Sequence, residues 1–314
     1  MVHGKTNKRK AINKSRIVIS LLSIVAIAFI VCTILVVVRN NNSSVDDNDA
    51  EEIINPEAEP EENIPTPEIS EINFQPTIDN WVNTTSGKKG IVIYDLDLDK
   101  IVGEYNSNEK FQTASLYKLF VVYEGYRRLQ NGVLTSNEPA GRTGHTILEC
   151  LDLAIRESYS PCAETLWAII GHDELNEIAR NDFGVPDVIV SNLTATPLEI
   201  TQIMKLFYEH DEILNPTLIF RMKDSFLNQP TTSYNWRQGL PSGFSNKVNV
   251  YNKVGWNYDG KKWTVYDDAA IIDFVSENRH FIIVVMTSGT DYREIKKLGT
   301  QIEEAFYNQY VLKN

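Results

Sequence analysis

Cysteine and histidine are scarce in this chain, whose 314 residues include three cysteines and five histidines. The cysteines and the scattered histidines match no zinc-ligand spacing. His145, His172 and His210 have no serine or acid at a spacing that suggests a Ser-His-Asp triad, and no G-x-S-x-G motif occurs. We therefore expect no metal and no organic cofactor, and we do not expect a hydrolase of the triad type.

Basic residues are few in most of the chain. The net charge is −12, but the first 16 residues carry +6 and no acid, so the remaining residues carry −18. Nucleic-acid binding selects lysine and arginine for contacts to phosphate. The acidic body therefore argues against a nucleic-acid partner.

Charged side chains are absent from residues 17–38. At a rise of about 1.5 Å per residue a helix of this length reaches about 33 Å, enough to cross the apolar core of a bilayer. The basic segment before it and the acidic stretch after it place the N-terminus in the cytoplasm and the rest outside the cell. A cleaved signal peptide is the alternative, but the run is long for one and no small-x-small cleavage pattern follows. The sequence thus predicts a single-pass cell-membrane protein with a cytoplasmic segment at 1–16 and a transmembrane helix at 17–38.

Residues 39–75 are rich in asparagine, glutamate and proline, and the stretch from Asp46 to Glu71 contains acids and no base. Such a segment buries too little apolar surface to offset the entropy cost of ordering, and its like charges repel. We expect a disordered stalk at 39–75. Residues 76–314 have the size of one domain.

The apolar pattern of residues 76–314 changes from strand to helix and back to strand. Lys89 to Tyr105 alternates apolar and polar residues around a turn, which is typical of a β-hairpin. Ser115 to Gly132 has apolar residues at helical spacing and ends on Asn-Gly. Helical patterns follow at 146–157, 161–170, 173–182 and 197–210, strand patterns at 269–275 and 281–286, and a last amphipathic helix at 292–310. The order predicts an α/β (α+β) fold, with an antiparallel sheet built from both ends of the domain, an inserted helical lobe and a binding cleft at their boundary.

A serine followed by a lysine three residues later occurs at Ser86, Ser107 and Ser115. The first two lie in glycine- or asparagine-containing turn sequence, whereas Ser115 begins an apolar helix. On a helix the side chains of Ser115 and Lys118 project from the same face, so the amine can reach the hydroxyl. The backbone N–H of Ser115 is free at the helix N-terminus to bind an oxyanion. A second cation nearby lowers a lysine pKa, which lets the amine accept the serine proton.

Three motifs follow one another along the domain: TASLYKL at Thr113–Leu119, ESYSPCAETL at Glu157–Leu166 and YNKVGW at Tyr251–Trp256. Two shorter phrases, TATP at 194–197 and LPSG at 240–243, lie between the second and third. From about residue 81 to the C-terminus, this order resembles that of class A β-lactamases and their penicillin-binding relatives, which carry S-x-x-K, S-D-N and K-T-G.

The resemblance implies a β-lactamase/transpeptidase-like fold and a serine acyl-enzyme mechanism. It implies that Ser115 is the nucleophile and Lys118 its partner. Ser158 is implied as the proton shuttle to the leaving group, and Lys253 as the electrostatic partner. Three more residues are expected to bind substrate or the oxyanion: Ser160, Gly255 and Trp256, the last through its backbone N–H.

Several positions depart from the family pattern. Tyr159 and Ser160 replace the usual Asp and Asn of S-D-N, and Val254 replaces the hydroxyl residue of K-T-G that would bind a substrate carboxylate. These changes weaken the recognition of a D-Ala-D-Ala or penicillin-like acid.

The loop between Asn181 and Pro197 is shorter than the family's and contains no Glu to activate a deacylating water. Its Asp187 is interpreted as a turn residue after a proline. Glu164 is the possible substitute, although the plainer interpretation is a glutamate on a helix surface.

Cys150 and Cys162 lie 12 residues apart on the predicted oxidising side of the membrane. They either pair, if their helices pack closely, or remain buried free thiols. Tyr251, Trp256 and Tyr258 either line a substrate cleft or pack at the sheet edge.

The sequence therefore predicts a membrane-anchored serine hydrolase that acts on an amide bond, in a β-lactam or a peptidoglycan peptide, through an acyl-enzyme. The alternatives are a penicillin-binding D-Ala-D-Ala peptidase with slow deacylation, and a catalytically silent domain that binds cell-wall peptide or a protein partner.

Overall fold

The computed structural model of this chain describes residues 69–185, 193–209, 216–227 and 235–313. The predicted cytoplasmic segment, the predicted membrane helix and most of the predicted stalk lie outside the described residues. Among the helices that are described, none combines the length and apolar character needed to span a bilayer.

The described part contains eight α-helices and seven strands. The helices are α1 (Gln75–Thr84), α2 (Lys118–Gln130), α3 (Ile147–Arg156), α4 (Ser160–Ile170), α5 (His172–Asn181), α6 (Pro197–Tyr208), α7 (Pro216–Leu227) and α8 (Tyr292–Lys313). The strands are β1 (Lys88–Asp95), β2 (Lys100–Tyr105), β3 (Phe111–Gln112), β4 (Thr194–Ala195), β5 (Val248–Tyr258), β6 (Trp263–Phe274) and β7 (Arg279–Ser288). Two 3₁₀ turns occur at Ala114–Tyr117 and Leu240–Gly243.

Five of the strands form one antiparallel sheet in the order β2-β1-β7-β6-β5. The predicted hairpin is β1 and β2, and β1 pairs along its length with β7 from the other end of the domain. The prediction of an antiparallel sheet built from both ends, with a helical lobe inserted, is confirmed. β5 is an edge strand, so its outer side offers backbone groups that no other strand of this sheet covers.

Both faces of the sheet are buried, because the helical lobe covers one face and α1 and α8 cover the other. Along β7, Ile282 and Val284 point to the helical lobe, and Ile283 and Val285 point to the core shared with α1 and α8. This explains why β6 and β7 read as nearly continuous apolar runs.

Two helices of the lobe begin with a reciprocal cap. Thr146 accepts a hydrogen bond from the backbone of Glu149, whose side chain accepts one from the backbone of Thr146. Thr196 and Glu199 make the same pair at the start of α6. The T-x-x-E spacing satisfies two backbone N–H groups that the helix leaves free, and thus fixes where each helix starts.

The folded domain begins earlier than the predicted boundary at residue 76. Ile72 and Phe74 are fully buried, although the sequence analysis placed them in the stalk. The backbone N–H of Phe74 donates to Val102 O at 3.0 Å, and its ring meets Phe281 edge-on at 5.4 Å. Burial of two apolar side chains against β2 and the sheet thus holds this segment in the domain despite its acidic surroundings.

Candidate active site

Ser115 lies in the 3₁₀ turn Ala114–Tyr117, which we call the Ser115 turn, directly before α2. The predicted helix therefore starts as a tighter turn. Thr113 N donates to Leu193 O at 2.7 Å, and Ala114 has a φ of +42°, which is unusual for alanine. As the second residue of the turn, Ser115 has a backbone N–H that no earlier carbonyl of the turn can reach.

Ser158 lies in the short connection between α3 and α4, residues 157–159, which we call the Ser158 loop. Its φ is +54°, in the left-handed region that serine rarely adopts. Such a conformation persists only where the surroundings hold it, and it is enriched at functional sites.

A disulfide between Cys150 and Cys162 joins the two helices on either side of the Ser158 loop. The Cα atoms lie 4.8 Å apart and both residues are fully buried. The sequence left open whether these cysteines pair or remain free thiols, and in the structure they pair. The cross-link holds α3 and α4 together where the chain reverses at Ser158.

Lys118, the first residue of α2, extends into the Ser158 loop and is fully buried. Its Nζ donates to Ser158 O at 2.5 Å, to Ser160 Oγ at 3.0 Å and to Ser158 Oγ at 3.3 Å. Burial lowers the Lys118 pKa to about 8, against an opposing effect of the Glu164 carboxylate. An amine with this pKa is uncharged in a useful fraction of molecules near neutral pH.

Lys253 reaches the same hydroxyl from β5. Its Nζ donates to Ser158 Oγ at 2.8 Å and to Val254 O at 2.8 Å. Burial, and after it the charge of Lys118, hold the Lys253 pKa well below its usual value. Two lysines that share one acceptor in a buried place favour loss of a proton from the pair.

The position of the Ser115 turn against β5 depends on Gly255. A side chain there would place its Cβ 2.4 Å from Thr113 O and 2.9 Å from Leu116 Cγ. Only glycine leaves room for the turn to lie against the edge strand. The structure thus brings together the Ser115 turn, the Ser158 loop and β5, which carry the three motifs.

The predicted pairing of Ser115 with Lys118 stays a prediction, because the Lys118 amine bonds to other groups in this structure. Within the part of the chain that the structure describes, no hydrogen bond joins the two side chains, and Lys118 Nζ is directed to Ser158 and Ser160. Ser115 is half-buried and lies one turn before Lys118. The roles of Ser115 and of the Trp256 backbone N–H as reacting groups stay predictions.

Tyr251, Trp256 and Tyr258, which could line a substrate cleft or pack at the sheet edge, differ in their surroundings. The side chain of Trp256 packs among Trp263, Tyr266 and Tyr292 with ring centroids 5.0–5.9 Å away, so packing is its role. Tyr258 is 51% exposed at the end of β5. Tyr251 lines a cavity with residues of α6 and α7.

Trp236 is a contact residue of the site that the sequence analysis missed. Its indole N–H donates to Glu157 O at 3.1 Å, and its ring meets that of Trp256 at 5.5 Å. It thereby connects the Ser158 loop to β5. No sequence signal identifies it, because the contact joins positions 79 residues apart in the chain.

Asp267 was also missed. It is fully buried on β6 directly opposite Gly255, and its Oδ1 accepts a hydrogen bond from Thr287 N at 2.7 Å. Burial, followed by the charge of Asp268, raises the Asp267 pKa well above its usual value. An acid whose pKa is raised by burial thus lies beside the strand position that faces the Ser115 turn.

A family profile described as the β-lactamase enzyme family matches residues 73–310. The chain belongs to this family. It is accordingly a serine hydrolase of the acyl-enzyme type, with the β-lactamase/transpeptidase-like fold that the motifs predicted. No protein with a curated function matches this sequence closely enough to count as a relative.

Solved structures share the fold at low sequence identity. A β-lactamase from Chitinophaga pinensis is 15% identical with a TM-score of 0.64, covering 75% of this chain and 98% of that one. PBP-A is 19% identical with a TM-score of 0.62, covering 75% of this chain and 96% of its own. A variant of PBP-A, solved as an acyl-enzyme complex with penicillin G, is 17% identical with a TM-score of 0.63, covering 74% and 95%.

Proposed function

We propose that this chain is a membrane-anchored serine hydrolase that opens an amide bond, in a β-lactam or a peptidoglycan peptide, through an acyl-enzyme on Ser115. The observation that carries the proposal is the convergence of Lys118 and Lys253 on Ser158 Oγ, beside the Ser115 turn. Burying two amines costs free energy, and a surface that only binds a partner has no need of them.

In the proposed acylation, Ser115 Oγ attacks the amide carbon and the uncharged form of Lys118 takes its proton. The C–N bond then breaks as Ser158 gives its hydroxyl proton to the leaving nitrogen. Lys118 returns a proton to Ser158 over their 3.3 Å contact. The products of this step are the ester on Ser115 and the free amine, and Lys118 and Ser158 are restored.

The departures from the family motifs favour slow turnover. Ser160 is shorter than an asparagine, and Val254 offers no hydroxyl to a substrate carboxylate. A penicillin-binding peptidase with slow deacylation is therefore the second candidate function. The acyl-enzyme complex of the PBP-A variant makes penicillin G the first compound to test.

The proposed location is the outer face of the cell membrane, with residues 17–38 as anchor. The uncharged run and the basic segment before it support this orientation. A disulfide between Cys150 and Cys162 is in keeping with an oxidising compartment.

The test uses the full-length chain in detergent, with a Ser115→Ala variant as control. Each is incubated with penicillin G, and both the intact protein mass and the drug concentration are followed. A lasting adduct that the variant lacks supports the peptidase-like function, and drug loss with only a transient adduct supports a β-lactamase. If the protein forms no adduct and consumes no drug, β-lactam chemistry is excluded.

A further inference from the structure

An acyl-enzyme turns over only if a base activates the water that hydrolyses it. This inference rests on the proposed function, because it concerns the second half of that reaction. The short loop between Asn181 and Pro197 contains no glutamate, and its Asp187 lies outside the described residues. A candidate base is therefore a glutamate on another element near the Ser115 turn.

Glu164 lies on α4, one helical turn after Ser160. Residues four apart on a helix project from the same face. Ser160 Oγ accepts a hydrogen bond from Lys118 Nζ at 3.0 Å, so this face of α4 is directed towards the lysine cluster. Glu164 also lines an open groove with Arg142, Pro161 and Thr165, and solvent water can therefore reach its carboxylate.

The charge of Glu164 affects the pKa values of Lys118 and Tyr117. It opposes the lowering of the Lys118 pKa that burial causes. It also adds to the burial effect that raises the pKa of Tyr117, a residue of the Ser115 turn, to about 12. These two residues are neighbours, the last of the Ser115 turn and the first of α2, and both effects agree with the position of Glu164 one helical turn after Ser160.

The carboxylate is not engaged by the rest of the protein. Among residues 69–185, 193–209, 216–227 and 235–313, no group forms a hydrogen bond or ion pair with the Glu164 carboxylate. Other acids of the helical lobe are paired, for example Glu124 with Arg128 and Glu174 with Arg128. An exposed and unpaired carboxylate is available to accept a proton from water.

We propose that Glu164 on helix α4 is the general base of deacylation, a role for which the loop between Asn181 and Pro197 offers no glutamate. A water molecule held by its carboxylate attacks the ester carbon on Ser115, and Glu164 accepts the water proton. The C–O bond to Ser115 breaks, and the proton passes from Glu164 to Ser115 Oγ. A carboxylic acid product leaves, and both residues return to their starting forms.

The test compares full-length wild type, Glu164→Gln and Glu164→Asp with penicillin G, measuring acylation and deacylation separately by intact-mass spectrometry. Glu164→Gln should acylate within about threefold of wild type and deacylate about 100-fold more slowly, the usual contribution of a general base. Glu164→Asp should recover part of the lost rate. Glu177→Gln, an exposed glutamate on α5 of the same lobe, is the matched control and should behave as wild type.

Each contrary result has its own meaning. Equal deacylation by wild type and Glu164→Gln would overturn this inference and leave the proposed function intact. A parallel fall in both rates would also overturn it, because Glu164 would then act on Lys118 rather than on water. A wild-type adduct that never decays contradicts any base at this position. If the wild type neither forms an adduct nor consumes the drug, β-lactam chemistry is excluded and the inference falls with it.

Discussion

Lys253 Nζ lies 2.8 Å from Ser158 Oγ, and Lys118 Nζ approaches the same oxygen at 3.3 Å. A hydroxyl group has one proton and two lone pairs, and here each lone pair of Ser158 Oγ accepts a hydrogen bond from one of the two amines. The hydroxyl proton must therefore point away from both lysines. That leaves Ser158 able to donate to a third group, which in the proposed reaction is the leaving nitrogen.

Removal of this proton donor should affect substrates according to their leaving groups. An amide nitrogen must be protonated as it leaves, whereas a thiolate leaves without a proton. We expect Ser158→Ala to slow acylation by penicillin G about 100-fold or more, and acylation by a thioester much less. Acylation rate constants for both substrate classes measure the difference, with Tyr159→Phe as a neighbouring control. Equal losses for both classes would show that Ser158 only maintains the structure of its loop.

The pH dependence of acylation should report on the buried amines. With a Lys118 pKa of about 8, only about a tenth of the molecules have an uncharged amine at pH 7. Because the uncharged form accepts the Ser115 proton, the acylation rate should rise up to about tenfold per pH unit below pH 8 and level off above it. The midpoint belongs to the Lys118 and Lys253 pair, since the two groups are coupled. Rates measured with penicillin G from pH 5.5 to 9.5 test this, and a flat profile below pH 8 contradicts it.

Gly255→Ala should impair acylation while leaving the fold intact. The added Cβ would come within 2.4 Å of Thr113 O, and relief requires the Ser115 turn or β5 to move. Because displacement of a reacting group by about 1 Å costs roughly 100-fold in rate, acylation should fall by about that factor. Far-ultraviolet circular dichroism should remain that of the wild type. A variant with wild-type acylation would mean that the turn is not held against the strand.

Much of the fold was predictable because its signals are local. The β1–β2 hairpin, the T-x-x-E starts of α3 and α6 and the apolar runs of β6 and β7 can each be read from neighbouring residues. Helix α1 was not predicted, since its only buried side chains are Ile78 and Trp81 and most of its other residues are polar. Helix α7 was missed as well, and most of its packing partners are distant in the chain.

The site was predictable in composition but not in contacts. The motif order identified Ser158, Lys118 and Lys253, and the structure places them in one cluster. Two features were beyond the sequence. The left-handed φ of Ser158 is a conformation that only the surroundings of its loop can hold, and the direction of the Lys118 amine depends on which acceptors that loop presents.

The disulfide should stabilise the region around the Ser158 loop. Closing a loop of 12 residues lowers the entropy of the unfolded chain by an amount worth about 3 kcal/mol. We expect a Cys150→Ser, Cys162→Ser double variant to lose about that much unfolding free energy in urea. Reductant should lower the stability of the wild type and leave the double variant unchanged. If reductant has no effect on the wild type, the cross-link is absent from the purified protein.

The raised pKa of Asp267 leads to a prediction about how stability depends on pH. It is fully buried, Thr287 N donates to one carboxyl oxygen, and the other oxygen has no hydrogen-bond partner among the described residues. Its pKa is raised in the folded state, so folding takes up a proton once the pH exceeds the pKa of about 3.9 in the unfolded chain. The stability that the protonated acid contributes is therefore complete below about pH 4 and declines as the pH rises towards the folded pKa.

Asp267→Asn has nearly the shape and hydrogen-bonding pattern of the neutral acid and does not titrate. Its unfolding free energy relative to wild type should therefore increase with pH, by at most about 1.4 kcal/mol per pH unit, starting near pH 4. Urea unfolding of both proteins at pH 4, 5, 6 and 7 measures this difference. An effect of packing alone would give an offset that is the same at every pH, and an offset that shrinks as the pH rises would mean that Asp267 is ionised in the folded protein.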